Sequence, residues 1–222
     1  MLKTMPPKTK ILVVDDHPLV REWLANLINE EPDFEVCGQT GAAREALGLI
    51  ETLSPRIVVV DISLDGSSGL ELIKDVKATH PKVDMIVLSM HDEMLYAERA
   101  MRAGAAGYIM KREATKKVLD AIRTVIQGGL YFSNAVNAML AQKLVQGAGD
   151  QSASIGSLSD RELEVFQLLG RGYNTRQISE QMSVGFKTVH AYCARIKEKL
   201  NLANINELVF HAIRWHESQQ PR

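Results

Sequence analysis

Five short apolar runs, each followed by a helix-like pattern, restrict this chain's fold more than any other feature. The runs are "ILVV" (11–14), "FEVCG" (34–38), "RIVVV" (56–60), "DMIVLS" (84–89) and "GYIM" (107–110). They are short and β-branched, which suits strands buried on both faces. Between them, Val20, Trp23, Leu24, Leu27 and Ile28 share one helical face, as do Ala43, Ala46, Leu47 and Ile50. Leu70, Leu72, Ile73 and Val76 do so more loosely. Two more helices are expected at 93–103 and 115–127, the latter carrying Val118, Ala121, Ile122 and Val125. Strands alternating with helices predict an α/β fold with a doubly wound, five-stranded parallel sheet.

After "GGLYFS" a further helix is expected near 133–145, then a flexible linker, "GAGDQSASIGS" (147–157), small and polar without periodicity. The remainder has no strand-like run. "SDRE" (159–162) and "NTRQ" (174–177) fit the capping-box spacing that opens a helix. The tail therefore reads as a small all-α domain of about 65 residues.

The charges at the strand ends carry the chemistry. Asp15 and Asp16 follow the first strand directly, and two carboxylates about 4 Å apart repel by roughly 4 kcal/mol at an effective dielectric near 20. Ligands of doubly wound sheets gather at the carboxyl ends of strands, where strand order reverses. With a flavodoxin-like order, strands one and three are neighbours, so Asp61 joins Asp15 and Asp16. Such an oxygen cluster suits Mg²⁺. Ser89 closes the fourth strand and Lys111 follows the fifth. A hydroxyl and an ammonium facing an acid-bound cation suggest a phosphoryl group. No Gly-rich loop follows strand one, which disfavours a nucleotide. The phosphoryl group is then expected on an aspartate of the protein itself.

"VVDDHP", "VVVDISLDGSSGLEL", "VLSMHDE" and "GAAGYIMK" together resemble a bacterial response-regulator receiver domain over roughly residues 8–130. The resemblance implies Asp61 as phosphoacceptor, with Asp15, Asp16, Asp61 and the Ser63 carbonyl around Mg²⁺. It implies Ser89 and Lys111 on the phosphoryl oxygens, and Tyr108 as an aromatic switch that turns inward when Ser89 is drawn to the phosphate. Where Asp65 stands the family usually has proline, and where Ser68 stands often an acid. His91 reads as a surface residue and Cys37 as core.

Residues 158–202 resemble the helix-turn-helix of LuxR-type proteins, the output domain of NarL/FixJ response regulators. One helix (159–170) lies beneath a pair. The scaffold helix opens at Asn174 and the recognition helix runs from about Lys187 to Leu200. In the latter, Val189, Cys193, Ile196 and Leu200 make a buried stripe. Lys187, Thr188, His190, Ala191, Ala194, Arg195 and Lys197 face outward, the early ones toward base edges. Asn174, Thr175, Arg176 and Lys199 are expected at phosphates or beside them. His190 replaces the usual lysine, and alanines touch thymine methyls but cannot read guanine.

The expected domains are 8–130 (receiver), 131–157 (linker helix and flexible linker) and 158–220 (DNA-binding). Formal net charge is −1 over 222 residues, but residues 157–222 carry 9 Lys+Arg against 7 Asp+Glu. That weak asymmetry points polyanion binding to the tail. Two cysteines in separate domains argue against a disulfide. No apolar run is long enough for a membrane span, and a cytoplasmic protein is expected. The expected function is transcription regulation through double-stranded DNA, switched by a sensor histidine kinase, with a homodimer forming on phosphorylation. Two other readings are weighed. An aspartyl phosphohydrolase commonly has an acid two residues after the nucleophile, where this chain has Ser63. A phosphorylation-controlled protein-interaction module with weak DNA binding would fit the sparse recognition face.

Overall fold

A computed structural model describes residues 7–64, 67–146 and 155–219. The chain divides into two compact units, 1–143 and 144–222.

In the first unit, β1 (Thr9–Val14), β2 (Phe34–Thr40), β3 (Ile57–Val60), β6 (Asp84–Ser89) and β7 (Gly107–Met110) form one parallel sheet in the order β2-β1-β3-β6-β7. A two-residue hairpin, β4 (Ser63–Leu64) and β5 (Ser67–Ser68), lies after β3. Five helices pack around the sheet: α1 (Pro18–Asn29), α2 (Ala43–Leu53), α3 (Gly69–Thr79), α4 (Glu93–Ala103) and α5 (Ala114–Ile126). The strand order reverses between β1 and β3, as the flavodoxin-like expectation requires. The apolar residues of β1, β3 and β6 are buried on both faces. That explains why these runs are continuously apolar instead of alternating.

Two particulars differ from the sequence reading. Trp23 is 37% exposed, and Ala25 takes its place beside Leu24 and Ile28 on the buried face of α1. A bulky ring at that edge of the stripe has less room against the sheet than a methyl. Strand β2 is at the sheet edge, so Cys37 is only partly buried and its thiol contacts the Ile11 carbonyl.

The other edge has a cover that the sequence reading did not anticipate. Tyr131 pairs in parallel with Gly107, donating its N–H to the Ala106 carbonyl and accepting that of Tyr108, both at 2.9 Å. The segment "GGLYFS" thus shields β7, an arrangement that protects an edge strand from pairing elsewhere. Helix α6 (Asn134–Gln146) follows, and the boundary between the two units falls inside it.

In the second unit, residues Ile155–Ser157 of the stretch expected as flexible linker form a 3₁₀ turn. Residues 147–154 of that linker lie outside the described residues. Helices α7 (Asp160–Gly170), α8 (Thr175–Gln181), α9 (Phe186–Lys199) and α10 (Ile205–Gln219) follow. Both anticipated capping boxes are present, Ser159 with Glu162 and Asn174 with Gln177. Helix α10 packs its Leu208 and Ala212 inward, with Trp215 and His211 against Phe166.

One glycine decides how the first site is held. The Gly69 amide donates to the Ile62 carbonyl at 2.7 Å, and a Cβ there would lie 1.9 Å from the Asp61 carbonyl oxygen. No side chain fits without displacing the Asp61 backbone. We expect Gly69→Ala to destabilise the first unit by about 3 kcal/mol or more. Urea unfolding read by hydrogen exchange of the β1 and β3 amides measures this, and a loss under about 1 kcal/mol would show that the loop yields easily.

Candidate functional site

The ladder between β1 and β3 ends with Val14 opposite Val60. The next residue on each strand is an aspartate, and the Asp61 amide still donates to the Val14 carbonyl at 2.8 Å. Asp15 and Asp61 are therefore side by side, 2% and 4% exposed. In the same way β6 and β7 end with Ser89 opposite Met110, which delivers Lys111 as the next residue. Its ammonium lies 2.6 Å from both Asp15 Oδ2 and Asp61 Oδ2.

One cation shared by several acids leaves the cluster negative. Burial pushes the Asp61 carboxyl up to about 6; Lys111 opposes this, and Asp15 and Asp16 add to it. Lys111, although burial disfavours its charge, is held above its ordinary value by Asp61 and Asp15. Burial, more than the neighbouring acids, raises Asp61, while those same acids favour the charged ammonium of Lys111.

The donor set fits a hard divalent cation. Ligand atoms of Asp15, Asp16, His17 and Asp61 lie within 4.8 Å of one another. Asp15 Oδ2 and Asp16 Oδ1 are buried without an aligned hydrogen bond, their near partners being only the Lys111 and His17 nitrogens. Buried carboxylate oxygens with spare lone pairs, close together, are what an oxygen-seeking ion requires. His17 was not singled out from the sequence. Its Nδ1 lies 2.6 Å from Asp16, and its N–H donates to Asp15 Oδ1 at 2.9 Å. The "DDHP" spacing was the available signal. Asp65, the departure from the family pattern, lies outside the described residues.

Across the pocket mouth the structure corrects one reading and adds to another. His91 is no bystander. Its Nε2 lies 2.8 Å from Ser63 Oγ, its ring centroid 4.6 Å from that of Tyr96, and its carbonyl accepts the Tyr108 hydroxyl at 2.8 Å. Ser63 in turn points its N–H at Asp61 Oδ1, at 3.4 Å. Ser89 is fully buried, and its Oγ accepts the His91 amide at 3.1 Å. Tyr108 lies inward, 2% exposed, and burial pushes its phenol well above the ordinary value. Ser68 caps α3 by accepting the Leu70 amide.

In the second unit, α8 and α9 are joined by a tight turn in which Ser183 has φ +49°. Val189, Cys193, Ile196 and Leu200 are all buried, as their spacing predicted. Lys187, Thr188, His190, Ala191, Ala194 and Arg195 are exposed together on the opposite side of α9, and Lys197 is half-buried. Asn174 spends its Oδ1 on the amides of Arg176 and Gln177, both at 3.0 Å. Thr175 is half-buried beside it, and Arg176 is highly exposed against Glu180.

Lys199 departs from the phosphate role expected of it. Its ammonium lies 2.6 Å from the buried Glu162 carboxylate and donates to the Ser157 carbonyl. Burial alone would raise the Glu162 carboxyl, but Lys199 and the Ser159 amide hold it below its ordinary value. The lysine ties the end of α9 to the start of α7.

Residues 11–123 match the response regulator receiver domain, and residues 156–212 match the luxR family of bacterial regulatory proteins. The transcriptional activator protein ExaE of Pseudomonas putida is 35% identical over 203 residues, covering 91% of this chain and 95% of that one. The response regulator GacA of Pseudomonas aeruginosa is 33% identical over 205 residues, covering 92% and 95%. Among solved structures, the RcsB response regulator of Salmonella typhimurium shares the fold with a TM-score of 0.67 at 20% identity, over 94% of this chain and 98% of that one. A LuxR-family two-component response regulator from Aurantimonas sp. is 30% identical with a TM-score of 0.58, over 62% of this chain and 99% of its own. With a receiver sheet, an acid pocket at its carboxyl end and a LuxR-type helix-turn-helix later in the sequence, this chain belongs to the two-component response regulators that bind DNA to regulate transcription.

Proposed function

We propose that this regulator is switched by Mg²⁺-dependent phosphorylation of Asp61 by a sensor histidine kinase. The observation that carries the reading is the buried cluster in which one ammonium, Lys111, bridges Asp61 and Asp15 beside Asp16. An Asp61 carboxylate oxygen attacks the phosphorus, the P–N bond to the kinase imidazole breaks, and the imidazole leaves with the electron pair. Asp15, Asp16, Asp61 and the Ser63 carbonyl would hold Mg²⁺, which when bound offsets charge on the phosphoryl oxygens. Lys111 follows the transferred group as a fixed positive charge, and Ser89, whose oxygen accepts the His91 amide, keeps its hydroxyl proton to donate to it. The chain consumes one phosphoryl group and does not turn over phosphate esters, which separates it from a phosphohydrolase.

The receiver is assigned to 8–130, the linker to 131–157 and the DNA-binding domain to 158–220, in a cytoplasmic protein. Among the described residues, no helix is long and apolar enough to cross a membrane. Phosphorylation favours a homodimer, which reads two half-sites about 34–36 Å apart or a multiple of that. Helix α9 enters the major groove. Lys187 and Arg176 hold phosphates with Asn174 and Thr175 beside them; Thr188, His190, Ala191, Ala194 and Arg195 face the bases.

Treatment with a small acyl-phosphate donor should add one phosphoryl to the intact mass. Labelling that persists in Asp61→Asn, or in excess chelator, would sink the assignment.

The raised Asp61 carboxyl also sets a pH dependence. Its value of about 6 in the folded chain exceeds the ordinary 3.8. The group thus favours folding below pH ~4, and that contribution is lost as pH rises through ~6. At pH 7 in chelator, Asp61→Asn should be more stable than wild type by about 1–3 kcal/mol. The advantage should vanish below pH ~4, which urea titrations at both pH values measure.

On DNA, Lys187→Ala should weaken all sequences alike and flatten the salt slope by about one. His190→Ala should change preference at one base pair. Titrating single-base variants at two salt concentrations separates these roles, and the reverse pattern would overturn them.

A further inference from the structure

The first turn of α9 carries a side chain that none of the roles above uses. Phe186 is the first residue of that helix, directly after the N-cap Gly185. It is 49% exposed, although the same helix buries Val189, Cys193 and Ile196 almost completely. Its ring has not joined the core. Instead it meets the His190 imidazole one turn later, edge to face, with centroids 4.4 Å apart and planes at 67°. Residues four apart on a helix share a face, so ring and imidazole stand together on the side that exposes Lys187, Ala191 and Ala194.

A half-exposed phenyl at a helix start gains little from burial in this chain and offers no hydrogen bond. At the entry turn of a recognition helix, however, the groups it meets are base edges in the major groove. There the one apolar feature of the four bases is the thymine 5-methyl group, which phenylalanine and alanine side chains contact. We infer that Phe186 is a specificity-determining residue that packs on a thymine methyl in each half-site and fixes the imidazole of His190 against the neighbouring base pair. Gly185 suits this task. It caps without a side-chain hydrogen bond and adds no Cβ between the ring and the groove. The inference rests on the reading of α9 as the groove-entering helix and goes one residue beyond it.

The test uses the full-length chain and a duplex selected from randomised DNA by the wild-type protein. Each thymine is replaced in turn by deoxyuridine, which removes only the methyl group. Wild type should lose affinity about four- to tenfold at one thymine per half-site, the worth of one or two buried carbon groups. Phe186→Ala should bind the thymine duplex more weakly by a similar factor and show no further loss on the uracil duplex. Phe186→Leu, which keeps an apolar side chain, should recover part of the methyl sensitivity. Neither variant should change the salt slope, since no phosphate contact is removed.

Equal methyl sensitivity in wild type and Phe186→Ala would overturn the inference while leaving DNA binding intact. So would a uniform loss across all sequences with a changed salt slope. Failure of the wild-type chain to bind any duplex would overturn the DNA-binding reading itself, and this inference with it.

Discussion

The contact on which the first unit depends is the sharing of one ammonium by two buried carboxylates. Lys111 reaches Asp15 and Asp61 at equal distance because three strand ends stop at the same level. A buried ion pair of this kind is weak evidence for stability, since desolvation offsets much of its attraction. Here the acids also outnumber the cation, and Asp61 is raised first by its burial and then by Asp15 and Asp16. Buried carboxyls perturbed by desolvation beside a specific charge partner cluster at functional sites. In the proposed function, an arriving cation or phosphoryl group changes that balance, and the pocket acts as a switch.

The pocket is wired to its surroundings by short hydrogen bonds. Ser63 joins Asp61 to His91, and the His91 backbone joins both Ser89 and Tyr108. The backbone of Tyr108 is paired with Tyr131, two residues before Ser133, whose hydroxyl donates to Glu93 at the start of α4 and caps α6. A change at Asp61 that moves Ser89 would, in the proposed switch, disturb the β6–α4 loop, whose Glu93 accepts the Ser133 hydroxyl ahead of α6. In the proposed switch this route needs no large motion within the sheet. It needs only that the loop at 89–93 have two hydrogen-bonding arrangements.

The second unit spends its buried groups differently. Helix α7 buries Leu163, Phe166 and Leu169 and packs against both α9 and α10, with Phe166 meeting His211 and Trp215 of α10. Gly170 permits close approach, since a Cβ there would lie 2.6 Å from the Ala212 carbonyl oxygen. The Lys199–Glu162 pair ties the far end of α9 to the start of α7. In the proposed function that anchor serves α9 as the reading helix, because base discrimination rests on placing a few atoms accurately.

Much of this was legible in the chain. The five strands, the five helices of the receiver and both capping boxes follow from periodicity and cap residues, which are local signals. Asp15, Asp61 and Lys111 were legible because each directly follows a strand, with Asp16 next to Asp15, and a parallel sheet aligns strand ends. The stripe on α9 was legible because a 4-3-4 spacing has only one helical meaning. What tertiary structure alone decided were pairings between residues distant in sequence. The joining of His91 to Ser63 and Tyr108, the cover of β7 by Tyr131 and the diversion of Lys199 to Glu162 belong here. So does the exposure of Trp23 and Phe186, whose apolar character predicts burial. Local sequence states which groups an element presents. Which of them meet is set by loop paths and packing across the whole fold, and no window of neighbouring residues contains that information.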